Sequence, residues 1–360
     1  MHFGLTEEQK LLQETLRSFV ASECPPPRLR ELFESGRGND PALWKGLSEM
    51  GITGLVVPEA YGGAGLELLE ASLAAEQMGA GALPAPFLGH VLACLALHLA
   101  GSDAQKERWL PALASGAARG SVALAEEGDA WDPESWQLRA DGDVLRGRKR
   151  HVPAGADADL LVVGTAGGGL ALAARGARVV AEPEAGLDRT RPVATLRFDG
   201  AACEPLAPGS GASASARLRD AGLVLCAADA FGAAWQLVQM TVAYAKSRRQ
   251  FGQPIAGFQA VKHQLADMAT QIEPARGLFW YAAHAWDHLP DEAPRAAAIA
   301  KHHLSSRAAE VARAAVELHG GLGFTWECDV QIWMKRILFD RAWGGNPEHH
   351  RARAAMLAGW

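Results

Sequence analysis

The chain has 360 residues, 49% hydrophobic and 21% charged, an ordinary globular composition that rules out disorder and collagen-like repetition. Its 35 basic and 41 acidic residues leave a formal net charge of −6, which argues against broad nucleic-acid binding. Its longest uninterrupted apolar run is Val91–Leu97, far short of the ~20 residues that span a bilayer, so no membrane span is expected.

The first third reads as helical. Thr6 stands three residues before Gln9, a capping-box spacing, and Leu12, Leu16 and Phe19 follow at helical intervals. Pro25, Pro26 and Pro27 stop that helix. Further helices are predicted near 40–50, 67–79, 86–100 and 103–115, with a glycine-rich turn over 58–71 between them. From 120 to 208 the runs become short and punctuated: Ser121–Ala125, Gln137–Ala140, Val144–Arg148, Leu160–Gly164, Gly169–Ala174, Val179–Ala181 and Ala194–Phe198. Asp141-Gly142 and Gly167-Gly168 are turn signals between them, so this stretch is expected to form an antiparallel β domain. No βαβ repeat is visible. The last third is helical again. Leu223, Ala227, Ala230, Ala234, Leu237, Thr241 and Tyr244 mark one long helix, and Leu304, Ala308, Val311, Ala315 and Leu318 mark the buried stripe of another. The expectation is therefore an α+β multidomain chain with a helical domain over 1–119, a β domain over 120–208 and a C-terminal four-helix bundle over 209–360.

The five cysteines are scattered, show no CxxC spacing and read as buried free thiols in a reducing compartment. MHFGLTEEQK shows no targeting segment, which makes the cytoplasm the expected location. The pairs His302-His303 and His349-His350 lack the i, i+4 spacing of a helical metal site, and no metal is expected.

The stretch Ser247-Arg248-Arg249-Gln250-Phe251-Gly252-Gln253-Pro254-Ile255, then Phe258-Gln259-Ala260-Val261 and Leu265-Ala266-Asp267-Met268, resembles the C-terminal signature of acyl-CoA dehydrogenases. Glu317-Leu318-His319-Gly320-Gly321-Leu322-Gly323-Phe324-Thr325, the turn Pro58–Leu66 and the helix Gln105–Pro111 are similar to further elements of that family, in the same order. The resemblance covers nearly the whole chain. It implies an FAD enzyme acting on an acyl-CoA thioester, oligomeric, passing electrons to an electron-transfer flavoprotein or similar acceptor. In the family a carboxylate removes the α-proton while the β-hydrogen leaves as hydride. Donors aimed at the thioester oxygen, among them the base residue's own backbone N–H, stabilise the charge that develops there.

Carried over residue by residue, the resemblance divides the chain. The elements that reach a neighbour's FAD are present: Arg248 at the pyrophosphate-contacting position, Phe251 and Gln259 at the aromatic and amide positions, and Gly320 and Gly321 where backbone approaches the adenosine. Glu317 departs from the family's usual glutamine. The chain's own flavin elements are eroded. Ala125 stands where the family offers a hydroxyl, and His151-Val152-Pro153-Ala154 replaces its Trp-Ile-Ser/Thr-Asn segment. Asn346 is expected near the cofactor, and Glu348 near the cofactor or solvent. Gly344 occupies the family's usual base position and Gly222 the alternative one, so neither seat carries a carboxylate. Asp220 is the first substitute base to consider, with Asp229 and Asp340 behind it, all three otherwise helix-surface charges. On this reading Gly344→Glu should raise α-proton exchange. Three functions stay open: one subunit of a heteromeric dehydrogenase whose partner supplies the base, a self-sufficient dehydrogenase with an atypical base, and a non-catalytic binding or scaffold homologue.

Overall fold

A computed structural model describes residues 4–207 and 211–360. The chain opens with six helices: α1 (Glu7–Glu23), α2 (Pro26–Ser35), α3 (Pro41–Glu49), α4 (Leu68–Ala80), α5 (Phe87–Ala100) and α6 (Asp103–Ala114). Thr6 and Gln9 form the reciprocal cap of α1 that their spacing predicts. The proline run does end α1, but it also starts α2, which the sequence reading had left out. Pro26 occupies the first helical turn, where its missing N–H has no partner to lose.

Eight strands follow: β1 (Gly120–Ala123), β2 (Ala140–Asp141), β3 (Val144–Pro153), β4 (Leu160–Thr165), β5 (Gly169–Ala174), β6 (Val179–Pro183), β7 (Val193–Ala202) and β8 (Glu204–Pro205). They make two four-stranded sheets, ordered β1-β4-β5-β8 and β2-β3-β7-β6. Gly167 and Gly168 both take positive φ, as a tight turn between β4 and β5 requires. The expected all-antiparallel arrangement fails at one pair: β1 runs parallel to β4, Gly120 opposite Leu160. The segment between them is long enough for a crossover, which a parallel pair needs. The Gln137–Ala140 run contributes only Ala140 to a strand.

The remainder comprises α7 (Gly211–Ser247), the two-residue strands β9 (Arg249–Gln250) and β10 (Gln253–Pro254), then α8 (Gln259–Ile272), α9 (Arg276–His288), α10 (Ala293–Leu318), α11 (Val330–Ala342) and α12 (Pro347–Leu357). Helices α7–α10 form the bundle, and α11 and α12 pack on it. Leu304, Ala308, Val311 and Ala315 are buried and Leu318 is half-buried, as the stripe predicts. By length and composition α7 could cross a bilayer, yet 89% of its apolar window is buried inside the protein, which makes it a core helix. It packs on α4 backbone to backbone: a Cβ at Gly232 would lie 1.9 Å from the Glu76 carbonyl oxygen, and one at Gly79 would lie 2.0 Å from that of Asp229. The expected boundary after 208 falls outside the described residues. All five cysteines are buried free thiols.

Candidate functional site: a closed cleft and an open edge

A cleft of about 530 Å³ lies between the β-sheet region and the α11–α12 junction. One wall carries Trp131, Asp132 and His151, the other Phe339, Trp343 and Asn346. Strand β3 delivers His151 in the left-handed region, φ 53°, which re-aims its ring. Glu184 holds that ring, 2.6 Å from Nδ1, and also accepts from the His151 backbone N–H at 2.9 Å. Trp131 stacks on His151 with centroids 6.1 Å apart and meets the edge of Trp343 at 5.2 Å. The sequence reading missed Trp131, Asp132 and His349, whose Nε2 lies 3.2 Å from Asp132 Oδ2.

Gly222 and Gly344, where the resemblance implies a base, lie beside Trp343 and Leu223, and neither has free room for a side chain. Trp343 lies over Gly222, where an added Cβ would sit 2.8 Å from the indole Cζ3. Gly344 has φ 77°, and a Cβ there would come within 3.0 Å of Leu223. A side chain at either place has to displace packed neighbours or adopt a strained backbone. His350 donates from Nε2 to the Gly344 carbonyl at 2.8 Å, its imidazole held down to about 3 by burial and by nearby Lys301, and so neutral. Among the described residues no acceptor takes the Gly344 N–H.

The three candidate aspartates are not surface charges but buried and paired with arginines. Asp220 is buried, bonded by Arg353 at 2.8 Å and Arg219 at 3.2 Å. Burial pushes its carboxyl upward against those arginines. Asp229 is clasped by the Arg336 fork at 2.8 and 2.7 Å. Against the burial that would raise it, Arg191 and Arg336 hold Asp229 below the usual carboxylate range. Asp340 accepts from Arg191 at 2.7 Å and is pushed well above its ordinary value by burial and by Asp229 beside it. Arg191 reaches this cluster from the segment between β6 and β7, where Asp188 braces it at 2.8 Å. Apart from Arg219, the neighbour of Asp220, the arginines that hold these aspartates come from distant segments, of which helical spacing gives no sign.

The expected flavin contacts separate in the same way. Ala125 is buried and bridges Arg150, leaving no hydroxyl toward the cleft. Asn346 lines the cleft, but its Oδ1 caps α12, accepting from His349 N–H at 2.8 Å. Glu348 is exposed, 3.4 Å from Arg341. Arg248, Phe251, Gln259, Glu317, Gly320 and Gly321 all lie exposed along another edge. Tyr244 stacks on His319 at 4.3 Å, joining the end of α7 to the Gly320 turn. Phe251 meets Phe258 at 6.0 Å, joining the β9–β10 hairpin to the start of α8. Phe251 is 91% exposed with φ 52°, and nothing lies within 4 Å of a Cβ built at Gly320 or Gly321.

Comparison with known proteins decides the family. The family model for the acyl-CoA dehydrogenase N-terminal domain matches residues 6–117, and that for the C-terminal domain matches residues 210–358. The chain belongs to the acyl-CoA dehydrogenase family. Members are FAD-dependent oxidoreductases, which fits the helical–β–helical order and the paired signatures. Over 332 residues the chain is 38% identical to the acyl-CoA dehydrogenase IpdE2 of Mycobacterium tuberculosis, covering 92% of this chain and 91% of that one. It superposes on butyryl-CoA dehydrogenase from Megasphaera elsdenii with TM-score 0.90, 27% identity and full coverage of both chains. A chain of the ChsE4–ChsE5 complex from Mycobacterium tuberculosis gives TM-score 0.88 at 26% identity, covering 100% of this chain and 99% of that one.

The residues at hand fit FAD at one place and not at the other. In the cleft, Trp131 stacks on His151 and meets Trp343 edge-on, the rim carries Asp129 and Asp132, and the Pro153 position lacks an N–H. Those carboxylates oppose a pyrophosphate. The outer edge instead offers a guanidinium with no ion pair among the described residues, an amide, an aromatic face and open glycines.

Proposed function

We propose that this chain is one subunit of a heteromeric acyl-CoA dehydrogenase, lending its outer edge to FAD held by a partner chain that carries the base. The observation that carries this reading is the contrast between the crowded glycines 222 and 344, where the resemblance implies a base, and an edge whose Arg248 has no ion pair among the described residues. Bound FAD accepts the hydride in such enzymes. Toward it this chain would supply Arg248 to the pyrophosphate, Gln259 and Phe251 beside the ring system, and the Gly320–Gly321 backbone to the adenosine. The similarity to a chain of the ChsE4–ChsE5 complex supports a two-chain arrangement. The α-proton leaves to a carboxylate of the partner, and electrons pass on to an electron-transfer flavoprotein or a similar acceptor.

The test is purification of the chain alone and with a co-expressed family member, followed by the flavin spectrum and thioester oxidation with an artificial acceptor. One flavin per pair of unlike chains, with oxidation only in the pair, is expected. A homo-oligomer with one FAD per chain, reducing it with an acyl-CoA at ~1–10³ s⁻¹, overturns the reading. A self-sufficient enzyme is favoured by one observation, the Asp132–His349 pair in the cleft, and Asp132→Asn in that homo-oligomer would then abolish flavin reduction.

A further inference from the structure

A pocket of about 460 Å³ lies among α1, α4, α7 and α9, and it shares no lining residue with the cleft or the outer edge. Helical spacing builds it. Arg17 and Val20 on α1, and Gly232, Gln236 and Gln239 on α7, fall three or four residues apart, so each helix turns one face to it. Its size falls within the ~300–1,000 Å³ range of small-molecule sites. Val20, Leu29, Trp235 and Trp333 give it apolar walls. Trp333 is fixed in place, donating from Nε1 to the Ala80 carbonyl oxygen at 2.9 Å.

Gln77 is the polar group that the packing leaves over. It is 5% exposed, yet its amide has no hydrogen-bond partner among the described residues. Its amide atoms are not sealed from solvent, and the residue lines the pocket, so the amide is open to that space. Buried polar groups are nearly always satisfied, and an exception calls for a partner from outside the fold. The neighbouring Glu76 shows the contrast: both its oxygens are taken, by Arg276 at 2.6 Å and by Gln13 at 2.7 Å. Three charged side chains line the pocket. Glu76 and Arg276 cancel, and Arg17 has no ion pair among the described residues, which leaves a net positive charge. Cys24 also lines it, but burial holds that thiol at about 11, protonated and unreactive, so the site is suited to reversible binding.

We infer that this pocket binds a small carboxylic acid with an apolar body, the tryptophan-lined walls taking the body and Arg17 and Gln77 the carboxylate. A guanidinium and a primary amide both donate to carboxylate oxygens, and the charge-assisted contact is the stronger. A straight-chain acid and a ring acid are the two sources of that chemistry, and they differ in how they fill the walls.

The experiment is thermal melting and calorimetric titration of the full chain, alone and in its co-purified assembly, with octanoate, 2-naphthoate and their neutral amides. An acid that binds one molecule per chain and raises the melting temperature is expected, with its amide at least tenfold weaker. Preference for octanoate assigns a chain, and preference for 2-naphthoate assigns a ring. Gln77→Leu should lose at least tenfold in acid binding while the ligand-free chain melts at the same or a higher temperature, because a bare buried amide has been removed. Arg17→Gln should bring the acid down to the level of its amide. It changes an exposed side chain, so it carries the test whatever Gln77→Leu does to folding. The inference is overturned if neither acid binds, which would leave the pocket to water, or if the amides bind as tightly as the acids. It is equally overturned if a folded variant binds the acid as well as the parent, which would place the acid elsewhere in the chain or its assembly.

Discussion

The cleft and the outer edge treat their polar groups in opposite ways. In the cleft each charge already has a partner within the chain: Asp132 with His349 and Arg219, His151 with Glu184, and Asp220 behind it with Arg353. Trp131 packs against both His151 and Trp343 there. At the edge Arg248 has no carboxylate partner among the described residues, and Phe251 is exposed on a strained backbone. A region that has satisfied itself gains little from a ligand, whereas an unsatisfied region gains on contact. That difference is the ground for the proposal that the chain contributes to a neighbour's cofactor rather than to one of its own.

The largest effect that would break this comparison comes from the buried charges. Arg191→Ala leaves Asp340 without its guanidinium and Asp229 with Arg336 alone, and should cost about 3–5 kcal/mol in denaturant unfolding. If the cleft is organised by that cluster, the Trp131–Trp343 contact should loosen in the tryptophan emission while the edge keeps its flavin affinity in the assembly. Next comes Gly344→Glu. The sequence reading expected a gain in α-proton exchange, but with φ at 77° and Leu223 in the way the change should destabilise by ~1–3 kcal/mol. Deuterium incorporation at the thioester α-carbon should not rise above the parent, and a rise would reopen the cleft as a catalytic site.

On the other side of the comparison, Arg248→Ala should weaken flavin retention in the mixed assembly by about tenfold or more, ~1.5–3 kcal/mol for a charge-assisted contact. Its melting temperature as an isolated chain should not move, since nothing in the fold uses that guanidinium. Equal flavin content after dilution and gel filtration counts against the lent-edge reading.

The smallest expected effect is a pH control. Asp287, which accepts the Leu68 N–H at 3.0 Å, is raised to about 6 by burial and by Glu67. The folded state therefore holds a proton that the unfolded chain has released. Stability from this group is full below about pH 4 and is lost as pH rises through 6. Asp287→Asn should remove that slope and raise stability above pH 6 by ~1 kcal/mol, because the group is partly solvated. Thermal melts from pH 4.5 to 8 check this, and flavin content should be indifferent to the change.

Much of the fold was legible because helix caps, heptad-like stripes and glycine turns are local signals. Thr6 with Gln9, Gly167-Gly168 and the Leu304–Ala315 stripe each carry their own instruction. The glycines at 222 and 344 were legible too, as residue identities. Their closure was not. Trp343 covers Gly222 from a segment about 120 positions away in sequence, and no spacing announces such a contact. The aspartates on α7 and α11 read as surface charge for the same reason, since Arg191, Arg336 and Arg353 arrive from elsewhere. Lys149 shows the limit within a strand: alternation sends it inward, where burial lowers its ammonium to about 8 and Glu126 holds it.

Arg191 has a practical corollary for anyone dividing this chain. Its side chain leaves the β-sheet region and ends among α7 and α11, bonded to Asp340 and to the Arg336 carbonyl oxygen. A fragment cut to contain only the strands would carry a guanidinium stripped of its acceptors. A fragment containing only the later helices would keep Asp340 and lose the cation opposite it. Neither half inherits a neutral interior, so truncations placed by counting elements should express as insoluble material, while the intact chain melts in one transition.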